Sequence, residues 1–513
     1  MNSIAQEQYD VIVVGAGISG GLPAAAYLQK AGFSVLVIER DENGAPFAST
    51  YDGAPGVRFD VTPVNFSVVS PVIADLDLAA YGYKINRPDV LFSTIDGSDH
   101  QLTLYADPER SKEQISRHSE KDAATFQRVL GGLNAAAKDI MSATFFNSAP
   151  DKARCLQLTA EAVGMDAAEL QNHTAISLVE HLFESDAVRT ALTALPAINV
   201  FGDLGAPGQG ALSWLWTFLM RTCSIPPDTP TLAQAVEKAF SDHGGTFLKG
   251  TSVTRFLLDE QGACYGVEME TPQGRRNVSA RHAVISDLGA DLTGQLLAQP
   301  LKRNWQTATR DVFTADVVLD RPLAWTTESL RQSPRVYLLW DDWTDCKQWI
   351  GAARKGDESL FLKHIELTQF WLYYGLGADG SAGLRVRFGT GPYLDDNWAA
   401  RHEKYTEAIR TRLHSIDPDV EIKSINLTSP QDYWNWNPAA SHGNPVGGDF
   451  IEGQWMNERL PYRSAVPGLY LANSVWPSSL SWMAPGYNVA NVVADDLDFE
   501  RPSWWSHSPY PSF

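Results

Sequence analysis

The sequence has only four cysteines, Cys155, Cys223, Cys264 and Cys346, which lie far apart with no C-x-x-C pair. That spacing excludes a cysteine-based zinc site and a disulfide scaffold, and it points to a reducing compartment. Long apolar runs are just as scarce. No window reaches the roughly 18 residues that a bilayer span needs. The most apolar helical stretch, residues 211–220, is too short. The first residues, MNSIAQEQYD, hold neither a basic nor an apolar region, so no signal peptide is predicted. Basic clusters and basic amphipathic helices are missing too. The net charge of −20 repels nucleic-acid phosphates and anionic membranes. These absences predict a cytoplasmic protein with no nucleic-acid partner, no metal and at most peripheral membrane contact. They leave the oligomeric state open.

The composition is that of an ordinary globular protein, with 44% hydrophobic and 20% charged residues. Its 513 residues suggest two to four units of about 150 residues each. The first unit is the most informative. Val11–Val14 is a continuous apolar run of the kind buried on both faces of a parallel sheet. Gly15, Gly17 and Gly20 follow as G-x-G-x-x-G and lead into a helix. The glycines allow a tight turn, a close approach to a pyrophosphate and close helix–strand packing. The helix start then offers free N–H groups and a positive dipole end to the phosphates. A second apolar strand, Val35–Ile38, ends at Glu39, where an acid accepts ribose hydroxyls. Pro23 departs from the pattern. If the helix starts near Ile18, this proline removes one backbone hydrogen bond or bends the first turns.

Residues 76–229 read as mostly helical, with apolar spacing of three and four. From residue 231 a helix stopped at Gly244–Gly245 is followed by short strands, ending in a buried strand at Ala283–Ser286. Residues 301–454 mix strands with a helix at 398–416, and residues 468–497 give a strand, a loop and a helix starting near Pro485–Gly486.

Four stretches follow one another in a familiar order: the glycine turn with Glu39, "GVRFDVTPVNF" (56–66), "HGGTFLKGTSVTRF" with the later "AVISD", and "PGLYLANS…PGYNVANVVADDL". In this the chain resembles the flavin-dependent phytoene desaturase-like family, which includes carotenoid desaturases and isomerases and retinol saturases. That family falls within the amine oxidase-type group of FAD proteins. The resemblance implies an α/β fold: a discontinuous Rossmann-type FAD-binding domain (1–75, 230–300 and 455–500) with an inserted α+β substrate domain (76–229 and 301–454). Residues 501–513 are left as a C-terminal arm.

By the same resemblance, Gly15, Gly17 and Gly20 face the pyrophosphate, Glu39 lies at the adenosine ribose, Val253 meets the adenine through its backbone, and Arg40 is a further cofactor-binding candidate. Asn473 and the helix start at Gly486–Tyr487 approach the flavin. Two places depart from the family. "ENGAPFAST" (42–50) lacks the usual glycine pair and arginine, and Ala472-Asn473-Ser474 replaces the usual Gly-Asp or Gly-Ala.

FAD carries the redox chemistry in such proteins, so no nucleophilic triad is required. Trp476 and Trp482 flank the expected flavin loop and are candidates for pocket walls, with core packing as the alternative. His442, Tyr433 and Asp60 are the candidate proton-transfer residues, each with a structural role as its alternative. The expectation is an FAD-dependent oxidoreductase of desaturase type acting on carbon–carbon bonds of a hydrophobic unsaturated or aromatic small molecule. Saturase or cis–trans isomerase chemistry, a flavin amine oxidase and a non-catalytic prenyl-protein carrier are the alternatives.

Overall fold

The computed structural model describes residues 7–44, 50–60, 66–67, 70–85, 88–198, 202–219, 222–223, 231–271, 274–307, 311–353, 358–391, 398–444, 446–478 and 483–505. Two large sheets organise them.

The first sheet is built on strand Gln8–Val14. Its Val and Ile residues are buried on both faces, because parallel neighbours flank it and helices cover it. Val35–Ile38 runs parallel on one side and the end of Gly274–Ser286 on the other, with Val11 opposite both Val35 and Ala283. Thr246–Leu248 and Leu469–Leu471 complete the parallel part at its two edges. The first half of Gly274–Ser286 turns instead to antiparallel pairing with Cys264–Thr271, which pairs with Ser252–Leu258. The first helix, Gly21–Lys30, is lined by buried Leu22 and Ala24–Ala26, small enough for Ala484–Asp496 to pack closely on it. Chain segments from both ends and the middle thus share one core.

The second sheet has the order Ile422–Thr428, Asp311–Leu319, Ala382–Gly391, Ile365–Gln369, Arg335–Leu338, Val90–Ile95 and Gln101–Tyr105. Phe313, Ala315, Val317, Leu384, Val386 and Phe388 face helix Trp398–Ile416 in an apolar layer. The described part of 76–229 is mostly helical, as expected, and adds the strands Val90–Ile95 and Gln101–Tyr105. Val90–Ile95 pairs with Arg335–Leu338 on one side and with the edge strand Gln101–Tyr105 on the other, the two joined by a tight turn at Asp96–His100. The helices from Glu120 to Thr217 form a third layer, around a closed aromatic cluster of Phe145, Trp216, Trp455 and Trp476.

Hairpin Thr50–Ala54/Val57–Asp60 leaves the first sheet and packs Val57 and Phe59 against Val318 and Phe370 of the second-sheet region. The described part of the C-terminal arm is packed as well. Trp505 is buried against Tyr27, and Trp504 stacks on Trp505. Among the described residues Cys155, Cys264 and Cys346 are free and buried, and no helix is long and apolar enough to cross a membrane.

Candidate functional site

The glycine turn is held from below by a residue that the sequence pattern does not single out. Asp287 directly follows strand Gly274–Ser286, and its Oδ2 accepts the Gly21 N–H at 2.9 Å. A Cβ on Gly17 would lie 2.2 Å from that oxygen, and one on Gly20 only 2.6 Å from the Ala472 carbonyl. Gly15 stands at φ +93°, a conformation that glycine adopts without strain. Burial drives the Asp287 carboxyl well above its ordinary pKa, against the opposing pull of the Gly21 and Gly17 N–H groups. The Asp that ends "AVISD" was the available signal.

Glu39 faces the same turn. Its Oε2 accepts the Ala16 N–H at 2.8 Å and its Oε1 the Asp41 N–H at 2.9 Å. Each oxygen keeps a lone pair for a ribose hydroxyl, and burial raises the pKa of this acid too. Thr251 N–H binds the Glu39 carbonyl at 3.0 Å, which brings the strand carrying Val253 alongside. Asn473 Nδ2 reaches the Asp287 carbonyl at 3.4 Å, and Ser474 Oγ accepts the Ala290 N–H at 2.8 Å. Gly15, Gly17, Gly20, Glu39, Val253, Asn473 and Gly486 therefore gather at the carboxyl ends of the parallel strands, where open α/β sheets bind ligands. The glycine turn, the turned-in acid and the helix start fit a dinucleotide such as FAD.

The structure also accounts for Pro23. The first helix starts at Gly21, not Ile18, so Pro23 lies in the first turn, where a missing N–H is tolerated. An ordinary residue there would direct its N–H to the Ser19 carbonyl. That carbonyl instead accepts the Gly486 N–H at 2.9 Å. A Cβ on Gly486 would sit 2.5 Å from the Gly20 carbonyl, so the two helix starts touch through their backbones. The Gly486 and Tyr487 N–H groups are both bonded within the protein, the latter to the Met483 carbonyl, which leaves the positive helix end at Ala484. The Tyr487 ring turns away into the core, edge-on to Tyr27 and Phe146. Arg40 reaches away from the turn, with Nη2 2.6 Å from the Trp436 carbonyl.

Between the loop after Glu39 and the second sheet lies a chamber of about 390 Å3, lined by Tyr51, Asp316, Arg385, Tyr433 and Trp436 among others. Arg385 is 3% exposed and donates to both Asp316 oxygens, at 2.6 and 2.7 Å. Its Nη2 also donates to the Asp60 carbonyl, Tyr51 donates to Asp316, and Tyr374 donates to Asp60 Oδ1. Asp60 Oδ2 and Arg385 Nη1 have no hydrogen-bond partner among the described residues. Burial pushes the Asp60 pKa up to about 7, against the opposing pull of Tyr374 and Arg385.

Of the candidate proton-transfer residues, Tyr433 thus lines the chamber and Asp60 hangs directly behind Arg385. His442 is held elsewhere, 3.0 Å from Thr307 Oγ1 and stacked on Trp434. Trp476 is 2% exposed, donates Nε1–H to the Thr144 carbonyl at 2.8 Å and stacks on Phe145, the core-packing alternative. Trp482 and residues 45–49 of "ENGAPFAST" lie outside the described residues.

The NAD(P)-binding Rossmann-like domain family matches residues 13–76. The chain thus joins a Rossmann-like dinucleotide-binding unit to a second domain, in a fold that a solved amine oxidase shares. In sequence it is similar to a limonene dehydrogenase polypeptide of Castellaniella defragrans, 23% identical over 98% of this chain and 96% of that one. In structure it is similar to an oxidoreductase from Methanosarcina mazei (TM-score 0.58, 14% identity, 95% of this chain and 99% of that one). Cyclohexylamine oxidase from Brevibacterium oxydans superposes with a TM-score of 0.55 at 18% identity, over 96% of this chain and 99% of that one.

Proposed function

We propose that the protein is a cytoplasmic, FAD-dependent dehydrogenase that desaturates a hydrophobic unsaturated or aromatic small molecule. The observation that carries this reading is the near end-to-end likeness to the limonene dehydrogenase polypeptide, joined to the cradle at the glycine turn. Gly15, Gly17 and Gly20 hold the pyrophosphate, Glu39 the ribose, and the strand at Val253 the adenine. FAD, when bound, accepts the hydride.

Forming a carbon–carbon double bond breaks two C–H bonds: one hydrogen leaves as hydride and its neighbour as a proton, and the electron pair left behind becomes the new bond. The proton needs a base. Asp60 is the candidate acceptor, since a carboxylate with a pKa near 7 is partly ionised at neutral pH, and substrate binding has to bring its buried Oδ2 into reach of the chamber. Tyr374 and Arg385 hold it in place, and Tyr433 closes the neighbouring chamber.

The test begins with the visible spectrum of the purified protein before and after denaturation. Oxidised-flavin bands that leave with the small-molecule fraction are the expected result. Anaerobic bleaching by cyclic unsaturated hydrocarbons, but not by saturated amines, then supports desaturation. A colourless protein that takes up no added FAD overturns the enzyme reading.

A further inference from the structure

On the face of the helical layer, Glu169, His173 and His181 bring one ligating atom each within 4.8 Å of one another. They come from two short helices, Ala167–Asn172 and Ala175–Leu182, joined at His173. His181 Nε2 stands 3.8 Å from Glu169 Oε1, and the two imidazole centroids are 5.3 Å apart. A tetrahedral zinc with bonds of about 2.0–2.2 Å needs its ligand atoms roughly 3.4 Å apart. Small rotamer adjustments of two half-exposed side chains close that difference.

The cluster is built on a fixed frame. His173 N–H donates to the Leu170 carbonyl at 3.2 Å, and the His173 carbonyl accepts the Gly208 N–H at 2.8 Å. Thr174 and Ser177 close a capping box over the next helix. Ser177 Oγ also lies 3.0 Å from His173 Nδ1. The same oxygen accepts the Thr174 N–H and can donate to the Thr174 carbonyl, which fixes it beside the His173 ring. Such a second partner on a ligating imidazole sets its tautomer and orientation.

We propose that Glu169, His173 and His181 form a binding site for one borderline divalent cation, with zinc as the reference ion and a water in the fourth position. Two imidazoles and a carboxylate favour zinc, nickel or copper over calcium or magnesium. The site is independent of the flavin cradle and has a structural consequence. The segment it anchors, through Gly208 and through the Ala175 N–H on the Leu204 carbonyl at 3.0 Å, leads into helix Gln209–Thr217. That helix places Trp214 and Trp216 in the buried aromatic layer, so a bound ion braces the base of that layer.

The experiment uses the full chain, stripped with a chelator and titrated with zinc chloride by calorimetry, with thermal unfolding followed in parallel. One equivalent taken up at micromolar zinc is expected, with a rise of a few degrees in the unfolding midpoint. His181→Ala and, separately, Glu169→Gln should weaken uptake at least tenfold and cancel the midpoint rise. The flavin absorbance should be unchanged in both variants. Uptake below one equivalent at millimolar zinc, or uptake equal in the wild type and both variants, overturns the site. Neither of those outcomes depends on the flavin spectrum, so failure of the dehydrogenase reading is separately visible.

Discussion

The two sheets bury opposite kinds of surface. The parallel sheet fills its interior with Val, Ile, Leu and Ala, and its ionisable groups, Glu39 and Asp287, stand at strand ends under the glycine turn. The second sheet buries Arg335, Arg385 and Arg387 beside Asp316 and Glu366 on the face opposite its apolar layer. In the first, position is set by backbone: glycine contacts, helix starts and carbonyls fix where a cofactor can lie. In the second, position is set by side chains that satisfy one another at a desolvation cost that only good geometry offsets. A backbone-built site tolerates little change in shape, and a side-chain-built one tolerates little change in charge.

That contrast can be broken most directly at the glycine turn. Gly20→Ala places a methyl against both Asp287 and the Ala472 carbonyl, and should yield protein without bound flavin, read from the visible spectrum. In the second sheet, Asp316→Ala leaves Arg385 buried without its partner and should cost about 3–5 kcal/mol in urea unfolding. The double change Asp316→Leu with Arg385→Met should recover most of that loss. If the single and double variants are equally unstable, the second sheet depends on shape as well.

Asp60 sharpens the comparison through pH. Its folded-state pKa of about 7 lies above the ordinary carboxyl value, so its contribution to stability is full below about pH 4 and is lost as pH rises through 7. Asp60→Asn should therefore stabilise the fold at pH 8 by up to about 4 kcal/mol and hardly at pH 4, while removing the acid limb of the kcat/KM profile. A variant that keeps full turnover with an unchanged profile removes Asp60 from the proton step. The smallest effect is expected at Pro23. Pro23→Ala adds an N–H that competes with Gly486 for the Ser19 carbonyl, at a cost of about 1 kcal/mol in thermal unfolding.

The same contrast explains what could be read in advance. Gly15, Gly17, Gly20 and Glu39 sit within 25 residues of one another, so their spacing carries the turn they build. The helix at Ala484 was legible through Pro485–Gly486 for the same reason. The chamber was not, because Tyr51, Asp316, Arg385 and Tyr433 come from four distant segments. Their local pattern also misleads. Arg385 and Arg387 alternate with Leu384 and Val386, which by period alone describes a solvent-facing strand surface. Only the hairpin and helix Pro430–Trp436 packed over it turn that face inward. Pro23 was legible as an oddity and not as a contact, since its reason lies at Gly486, at the far end of the chain.

The bond between Ser19 and Gly486 also fixes an order of events during synthesis. The glycine turn leaves the ribosome well before the helix start that meets it, and Trp505 closes over Tyr27 later still. A nascent chain can therefore form the helical layer while its cradle is still one-sided. Cofactor capture waits for Gly486, and truncations that remove it should act on the unit around the glycine turn as severely as mutations within that unit.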